Sequence, residues 1–366
     1  MSSVRAKIVA CAVALAAGLL LGVILAVVID VADSSEPTKT TGETARTVET
    51  GQESAAKIES PWRRDEVMAA LMNSARQTAA LYPGDVEVAV TVNGWPEPAA
   101  VNADVPHAIY SMAKPVSAME CLDASGADQL PKPTMLALTG SSNCGQRITV
   151  KRTQDKLGSS EAVVDNFNAY LKKAGVDRLV PNSLEPDSLD PTDPTCNATE
   201  FDPAEIESSA KAKIPQFGTF EWDIVDASRF ALAMAEGSDG PFGETAEVVL
   251  EAMRQPKGPS RDGREDGSTL PPESPGWDYN WGAGLAFPKS WTPAFKSGWG
   301  GIRNGERYKA SQMAALDAEG IPVGVAVTFE PEYQPVDDTI GLSQETYAIQ
   351  KVMDDVYETL NGRGQK

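Results

Sequence analysis

The sequence predicts an α+β fold: an antiparallel sheet flanked by N- and C-terminal helices, with a helical lobe inserted at about residues 111–275. Three observations predict it. An alternating valine run opens the folded part, and comparable short runs return only after residue 281. Between them the apolar spacing is helical. An amphipathic helix stands at either end.

Residues 63–82, RRDEVMAALMNSARQTAALY, place Val67, Leu71, Ala75 and Ala79 at helical spacing, and Pro83-Gly84 ends the run. DVEVAVTVNG then alternates Val86, Val88, Val90 and Val92, a half-buried strand closing on an Asn-Gly turn; a short strand near Ala99–Val101 completes a hairpin. Helices are expected over Ser111–Ala124, Pro133–Thr139 and Ser160–Ala174. The Asp/Pro-rich residues 182–195 read as loop. EWDIVDASRFALAMAEG reads as a helix with Asp223 as N-cap and Gly237 closing it, ETAEVVLEAMRQ as another, and 257–276 as loop. WGAGLAF, AFKSGWG, RYKASQMAAL and PVGVAVTFE read as strands. A last helix, Ser343–Leu360, aligns Tyr347, Val352, Val356 and Leu360.

The N-terminal part is different. Ile8–Ile29 carries no charge over 22 residues. As a helix it spans roughly 33 Å, enough for a bilayer core of about 30 Å. Arg5 and Lys7 precede it, so residues 1–7 are expected in the cytoplasm and the rest outside: a single-pass cell-membrane anchor with an extracytoplasmic C-terminal domain. The rival is a cleaved signal peptide, but the apolar run is long for one and lacks a good small-x-small site. Residues 30–60 are polar and read as a flexible linker, leaving 61–366 as the folded domain.

Several chemistries are excluded. A formal net charge of −20 repels phosphate backbones, so no nucleic acid is expected. The chain holds one histidine and no Cys-x-x-Cys pair, so neither a metal nor any other cofactor is expected. That histidine, His107, lies four residues before Ser111 with no evident aspartate to orient it as a base, and it reads as a polar residue of a strand-to-helix turn.

The pattern Ser-x-x-Lys occurs three times, at Ser54–Lys57, Ser111–Lys114 and Ser208–Lys211. Context separates the middle one. It follows strands and opens an apolar helix, where residues three apart share a face about 5–6 Å apart. Pro115 fits only near a helix start, which puts Ser111 at the positive end of the dipole. A lysine base there needs burial or a second cation to lose its proton. AFKSGWGG supplies one in Lys296; in a strand Lys296 and Gly298 share a face and Ser297 takes the other. Ser141-x-Asn143, closing the short helix, could relay a proton and donate to a substrate amide.

Ser-x-x-Lys, Ser-x-Asn and Lys-Ser-Gly in this order resemble the motif set of the penicillin-recognising serine hydrolases, class A β-lactamases and their relatives. The resemblance covers residues 61–366 and implies the same element order. It implies Ser111 as acylated nucleophile, Lys114 as base, and Ser141 and Lys296 as further catalytic groups. It implies Asn143, Ser297, Gly298 and Trp299 as substrate-binding, with the N–H groups of Ser111 and Trp299 as oxyanion donors. The expected partner is a small-molecule or peptide substrate, a β-lactam or a peptidoglycan-like peptide. The same placement favours Cys144–Cys196 over Cys121–Cys144 as a disulfide.

The sequence also departs from that family. The second motif is Ser-Ser-Asn, and only 30 residues separate Ser111 from Ser141. The Glu-x-x-Leu-Asn loop that activates the deacylating water is not found; Glu185, Glu200 and Glu205 lie in other settings. Two other readings therefore stay open: a non-catalytic envelope binding module that keeps the fold, and a D-Ala-D-Ala carboxypeptidase or transpeptidase.

Overall fold

The structure is a computed structural model. It describes residues 60–103, 105–180, 196, 198, 200–210, 220–256, 281–300, 308–333 and 338–362, with side chains of the last helix from 344 onward. The expected anchor, linker, and loops at 182–195 and 257–276 lie outside the described residues. Among those described, no helix is long and apolar enough to cross a membrane.

The expected α+β architecture is present. α1 (Arg64–Leu81) leads into β1 (Gly84–Val92) and β2 (Ala99–Val101). A helical lobe follows, with α2 (Lys114–Ser125), α3 (Lys132–Thr139), α4 (Asn143–Leu157), α5 (Ser160–Lys173), α6 (Pro203–Ser209), α7 (Ile224–Ala235) and α8 (Glu244–Met253). The chain then returns through α9 (Ala283–Ala286) to β5 (Ala294–Gly300), β6 (Lys309–Ala318), β7 (Ile321–Pro331) and α10 (Asp338–Asn361). The sheet order is β2-β1-β7-β6-β5, antiparallel throughout. A separate pair, β3 (His107–Ala108) with β4 (Glu221–Trp222), joins the approach to α2 to the start of α7.

Strand alternation divides the sheet into two unlike faces. Val86, Val88, Val90, Val92, Val323, Val325, Val327 and Phe329 form one apolar core with residues of α1 and α10. Trp62 reinforces it by donating to the Leu360 carbonyl at 2.6 Å. The lobe-facing side is smaller and more polar: Ala89, Ala294, Met313, Ala315 and Ala326 join the lobe core. Thr91 meets Ser228 of α7 at 2.7 Å. Gly324 lets α7 lie directly on β7, since a Cβ there would stand 2.0 Å from the Ser228 carbonyl oxygen and 2.4 Å from the Leu232 nitrogen.

Three local expectations change. WGAGLAF is not a strand: Gly282 turns at φ +60, and the Ala283 N–H donates to Gln312 Oε1 at 2.7 Å, starting α9. Asn143 opens α4 rather than closing α3. Ser142 caps it by accepting from the Gly145 N–H at 3.0 Å, an interaction worth about 1 kcal/mol. α4 escaped the periodicity reading because its buried face includes Gln146, Arg147, Thr149 and Thr153. Tyr347 is exposed; the buried stripe of α10 runs through Ala348, Val352, Val356 and Leu360, spaced by four.

The Gly324 contact yields a stability prediction. Gly324→Ala should lower the unfolding free energy by about 1–3 kcal/mol or more through overpacking against α7. Urea denaturation measures it, and an unchanged midpoint would refute the close α7–β7 contact.

Candidate active site

The site begins with one turn of 3₁₀ helix, Tyr110–Ala113, ahead of α2. Ser111 lies in this turn and Lys114 follows it; the Lys114 N–H donates to the Ser111 carbonyl. In 3₁₀ geometry residues i and i+3 eclipse, so both side chains project from one edge. Pro115 sits at the second position of α2, where no internal N–H bond is lost. Ser111 is half-buried and Lys114 fully buried. The turn is reached through Tyr110 at φ +44, a backbone region that costs a non-glycine residue energy and persists only where its neighbours enforce it.

β5 does the enforcing. A Cβ at Gly298 would stand 2.8 Å from the Ile109 carbonyl oxygen and 3.2 Å from Tyr110 Cβ; one at Gly300 would stand 2.2 Å from the Tyr110 hydroxyl. The strand backbone thus lies directly against the turn that carries Ser111. Lys296 projects from the same face. Ser297 projects from the other, where its hydroxyl accepts from Gln312 Nε2 at 3.0 Å. Trp299 also lies on that other side, its ring 5.7 Å from that of Trp281. Ser297 and Trp299 therefore turn only their backbone toward the site.

The third contributor is the link between α3 and α4, where Ser141 adopts φ +52. Lys114 Nζ donates to the Ser141 carbonyl at 2.6 Å and to Asn143 Oδ1 at 2.9 Å, and lies 3.3 Å from Ser141 Oγ. Lys296 Nζ donates to the same Ser141 Oγ at 2.9 Å and to its neighbour's carbonyl, Ser297 O, at 3.2 Å. One hydroxyl thus bridges two buried amines, one from the lobe and one from the sheet. A neutral Lys114 amine has two protons and one lone pair. With the protons on Ser141 O and Asn143 Oδ1, the lone pair is left to accept from a hydroxyl. Burial lowers the Lys296 pKa from 10.5 to about 7, so this amine exchanges its proton in the neutral range.

Other candidates fall elsewhere. His107 is not beside Ser111 as a base: both its ring nitrogens are engaged, Nε2 with Glu87 at 2.5 Å and Nδ1 with Lys309 at 2.7 Å. Glu200 pairs with Lys132 at 3.4 Å and Glu205 with Arg152 at 2.9 Å. Glu185 lies outside the described residues. Cys144 and Cys196 are bonded, with Cα atoms 5.1 Å apart, and this crosslink adjoins Asn143; Cys121 is a buried free thiol. Sequence reasoning passed over Gln312, which also donates to the Trp281 carbonyl at 3.1 Å and so ties β6 to the chain before α9. A lone amide within the apolar run of β6 was its only signal.

No family model matches the chain, and no curated protein does. Solved structures similar to it include that of PBP-A, at 14% identity over 80% of this chain and 97% of that one, TM-score 0.49. A class A beta-lactamase from Bacteroides cellulosilyticus is 13% identical over 83% and 99%, TM-score 0.48. TLA-3 extended-spectrum beta-lactamase is 13% identical over 78% and 98%, TM-score 0.47. At such values the similarity assigns neither a family nor an activity, and the chemistry is read from the side chains.

Lys296 makes a pH prediction with a definite sign. Its folded pKa lies below its unfolded one, so between about 7 and 10.5 the unfolded chain binds the extra proton. The Lys296 contribution to stability is therefore least favourable below about 7 and improves as pH rises toward 10.5. Relative to Lys296→Met, the wild type should gain roughly 1 kcal/mol per pH unit across that window. Denaturant unfolding of both proteins at several pH values tests this; parallel curves would refute it.

Proposed function

We propose that this chain is a serine acyl-enzyme hydrolase of the penicillin-recognising type, acylated at Ser111 by an amide or ester such as a β-lactam or a cell-wall peptide. One observation carries the reading: Ser141 Oγ bridges the buried amines of Lys114 and Lys296 beside the turn that presents Ser111. Such an arrangement can take a proton from a nucleophile and return one to a leaving group.

In the proposed reaction the neutral Lys114 amine removes the Ser111 hydroxyl proton as Oγ attacks the substrate carbonyl. Negative charge on the carbonyl oxygen is met by the N–H groups of Ser111 and Trp299. The tetrahedral intermediate collapses as the C–N or C–O bond breaks. Ser141 hands its proton to the leaving atom and is reprotonated from its lysine partners. The Ser111 proton has then moved, by relay, to the leaving group, and an ester remains on Ser111. Charged Lys296 offers a counter-ion for a substrate carboxylate, and Asn143 a side-chain amide for a substrate amide.

The second half-reaction needs an acceptor. The missing Glu-x-x-Leu-Asn pattern, with Glu200 and Glu205 engaged by Lys132 and Arg152, favours a long-lived acyl-enzyme. It also supports a second reading, a carboxypeptidase or transpeptidase that is acylated by a D-Ala-D-Ala-type peptide, releasing the terminal D-Ala, and passes the acyl group to water or to the amine of a second peptide. The uncharged residues 8–29 support a single-pass membrane anchor with the domain outside the cytoplasm. The Cys144–Cys196 bond supports an oxidising compartment.

A fluorescent penicillin should label the wild type and not Ser111→Ala, with an intact-mass increase equal to the whole penicillin. Lys114→Met should slow labelling by at least about a hundredfold, the lower range for loss of a general base. Absence of any adduct with penicillin and with a generic acylating probe would overturn catalysis in favour of a binding module.

A further inference from the structure

A second buried cluster lies on the lobe-facing side of the sheet, and the reaction above makes no use of it. Glu87 of β1 and His107 of β3 are each 6% exposed. His107 Nε2 stands 2.5 Å from Glu87 Oε1, and His107 Nδ1 stands 2.7 Å from Lys309 Nζ of β6. Lys309 also faces Glu330 Oε2 of β7 at 3.4 Å. These are the charged groups that β1, β6 and β7 turn toward the imidazole; Glu221 of β4, opposite Ala108, is exposed.

The distance limits how many protons the pair can hold. At 2.7 Å one of the two nitrogens, His107 Nδ1 or Lys309 Nζ, must accept. Lys309, as lysinium or as neutral amine, can donate to a neutral imidazole, or an imidazolium can donate to a neutral amine; in each case the pair carries at most one positive charge. A second charge removes the only acceptor and leaves two like charges in contact. Protonating Glu87 has no such effect, because a carboxylic acid keeps a carbonyl oxygen for the Nε2–H. Burial already raises the Glu87 pKa against the pull of His107, and its second oxygen has no partner among the described residues.

The pair also stands at the foot of the Ser111 turn. In the β5–β6 register Lys309 is opposite Gly300, the residue whose bare backbone accommodates the Tyr110 hydroxyl. His107 lies three residues before Tyr110, on the short strand that carries the chain into the turn. Tyr110, at φ +44, needs contacts on both sides to hold that conformation. β5 supplies one side and the His107 contacts anchor the other. We propose that His107 and Lys309 are positioning residues for the Ser111 nucleophile: an imidazole–amine clasp that fixes the Tyr110 turn against β5 while it carries at most one positive charge, and that releases the turn and slows acylation when both partners are charged. This role rests on the reading of Ser111 as the acylated residue.

The test uses the full chain in detergent, because its one histidine gives an unambiguous probe. Acylation by fluorescent penicillin is followed against pH, alongside the nitrogen resonances of ¹⁵N-labelled His107. In the wild type the acylation rate should fall by at least about tenfold over the pH range in which the label gains its proton. His107→Gln still accepts from Lys309 and donates to Glu87 but cannot be protonated. It should keep its neutral-pH rate within about threefold and lose the part of the acid limb that coincides with the label's protonation. Lys309→Met should slow acylation at neutral pH by about tenfold or more and shift the label's titration. An acid limb unchanged in His107→Gln overturns the proposal, and this variant alone decides if Lys309→Met does not fold. A wild type acylated at no pH, with the label still shifted by Lys309→Met, instead overturns the nucleophile reading beneath it.

Discussion

The Ser141 hydroxyl holds the site together. It receives Lys296 Nζ from the sheet at 2.9 Å, with Lys114 Nζ from the lobe at 3.3 Å. Remove that oxygen and the two buried amines lose their shared partner, leaving Lys114 with the Ser141 carbonyl and Asn143 Oδ1 and Lys296 with the Ser297 carbonyl, and the link this hydroxyl makes between lobe and sheet is gone. The position of Ser141 depends in turn on its left-handed backbone between α3 and α4, and on the Ser142 cap that starts α4. The same turn aims the Ser141 carbonyl and Asn143 Oδ1 at Lys114. A single irregular linker therefore sets the donors and acceptors of both lysines.

The sheet explains why that linker can meet β5 at all. Its outer face is packed with valines against the terminal helices, which makes it a rigid support. Its lobe face trades bulk for proximity. Gly324 admits α7, while Gly298 and Gly300 admit the Ser111 turn. Small residues at these positions bring helix and turn backbones to the strands. A larger side chain there would hold Ser111 away from Lys296. The polar groups left on this face are then buried by the lobe and must find partners. Thr91 with Ser228, Lys296 with Ser141 and His107 with Lys309 are three such solutions.

Much of this was legible in the sequence. Valines at every second position announced β1 and its buried face. Ser111, Lys114, Ser141, Asn143 and Lys296 stood out as residue types in an order that amine-assisted acyl transfer can use, and the structure brings the side chains of Lys114, Ser141, Asn143 and Lys296 into one hydrogen-bonded group. What stayed hidden depended on tertiary contact. α4 buries Arg147 and Thr149 because the lobe offers them partners, and Gln146 lies buried beside them, so it has no apolar stripe to detect. Gly282 reads as a strand residue until Gln312 supplies the acceptor that starts a helix after it. The His107 cluster draws on four strands distant in sequence, and no local pattern foretells it.

Charge ties the site to the rest of the molecule. At a net −20 the surface repels anionic substrates over distance, yet that field decays within about 8 Å at physiological salt. Near contact the local groups dominate, and there the chain keeps its amines inside: Lys114 is fully buried and Lys296 is 5% exposed. Burial lowers the Lys296 pKa to about 7, so its charge is held only weakly at neutral pH. A substrate carboxylate docking beside it would favour the charged form, since an opposite charge within about 4–6 Å stabilises the ammonium. In the proposed reaction binding and protonation would thus be coupled. An amine poised near neutrality would become a cation beside the substrate, and Ser141, which accepts from Lys296, would carry that proton onward to the leaving group.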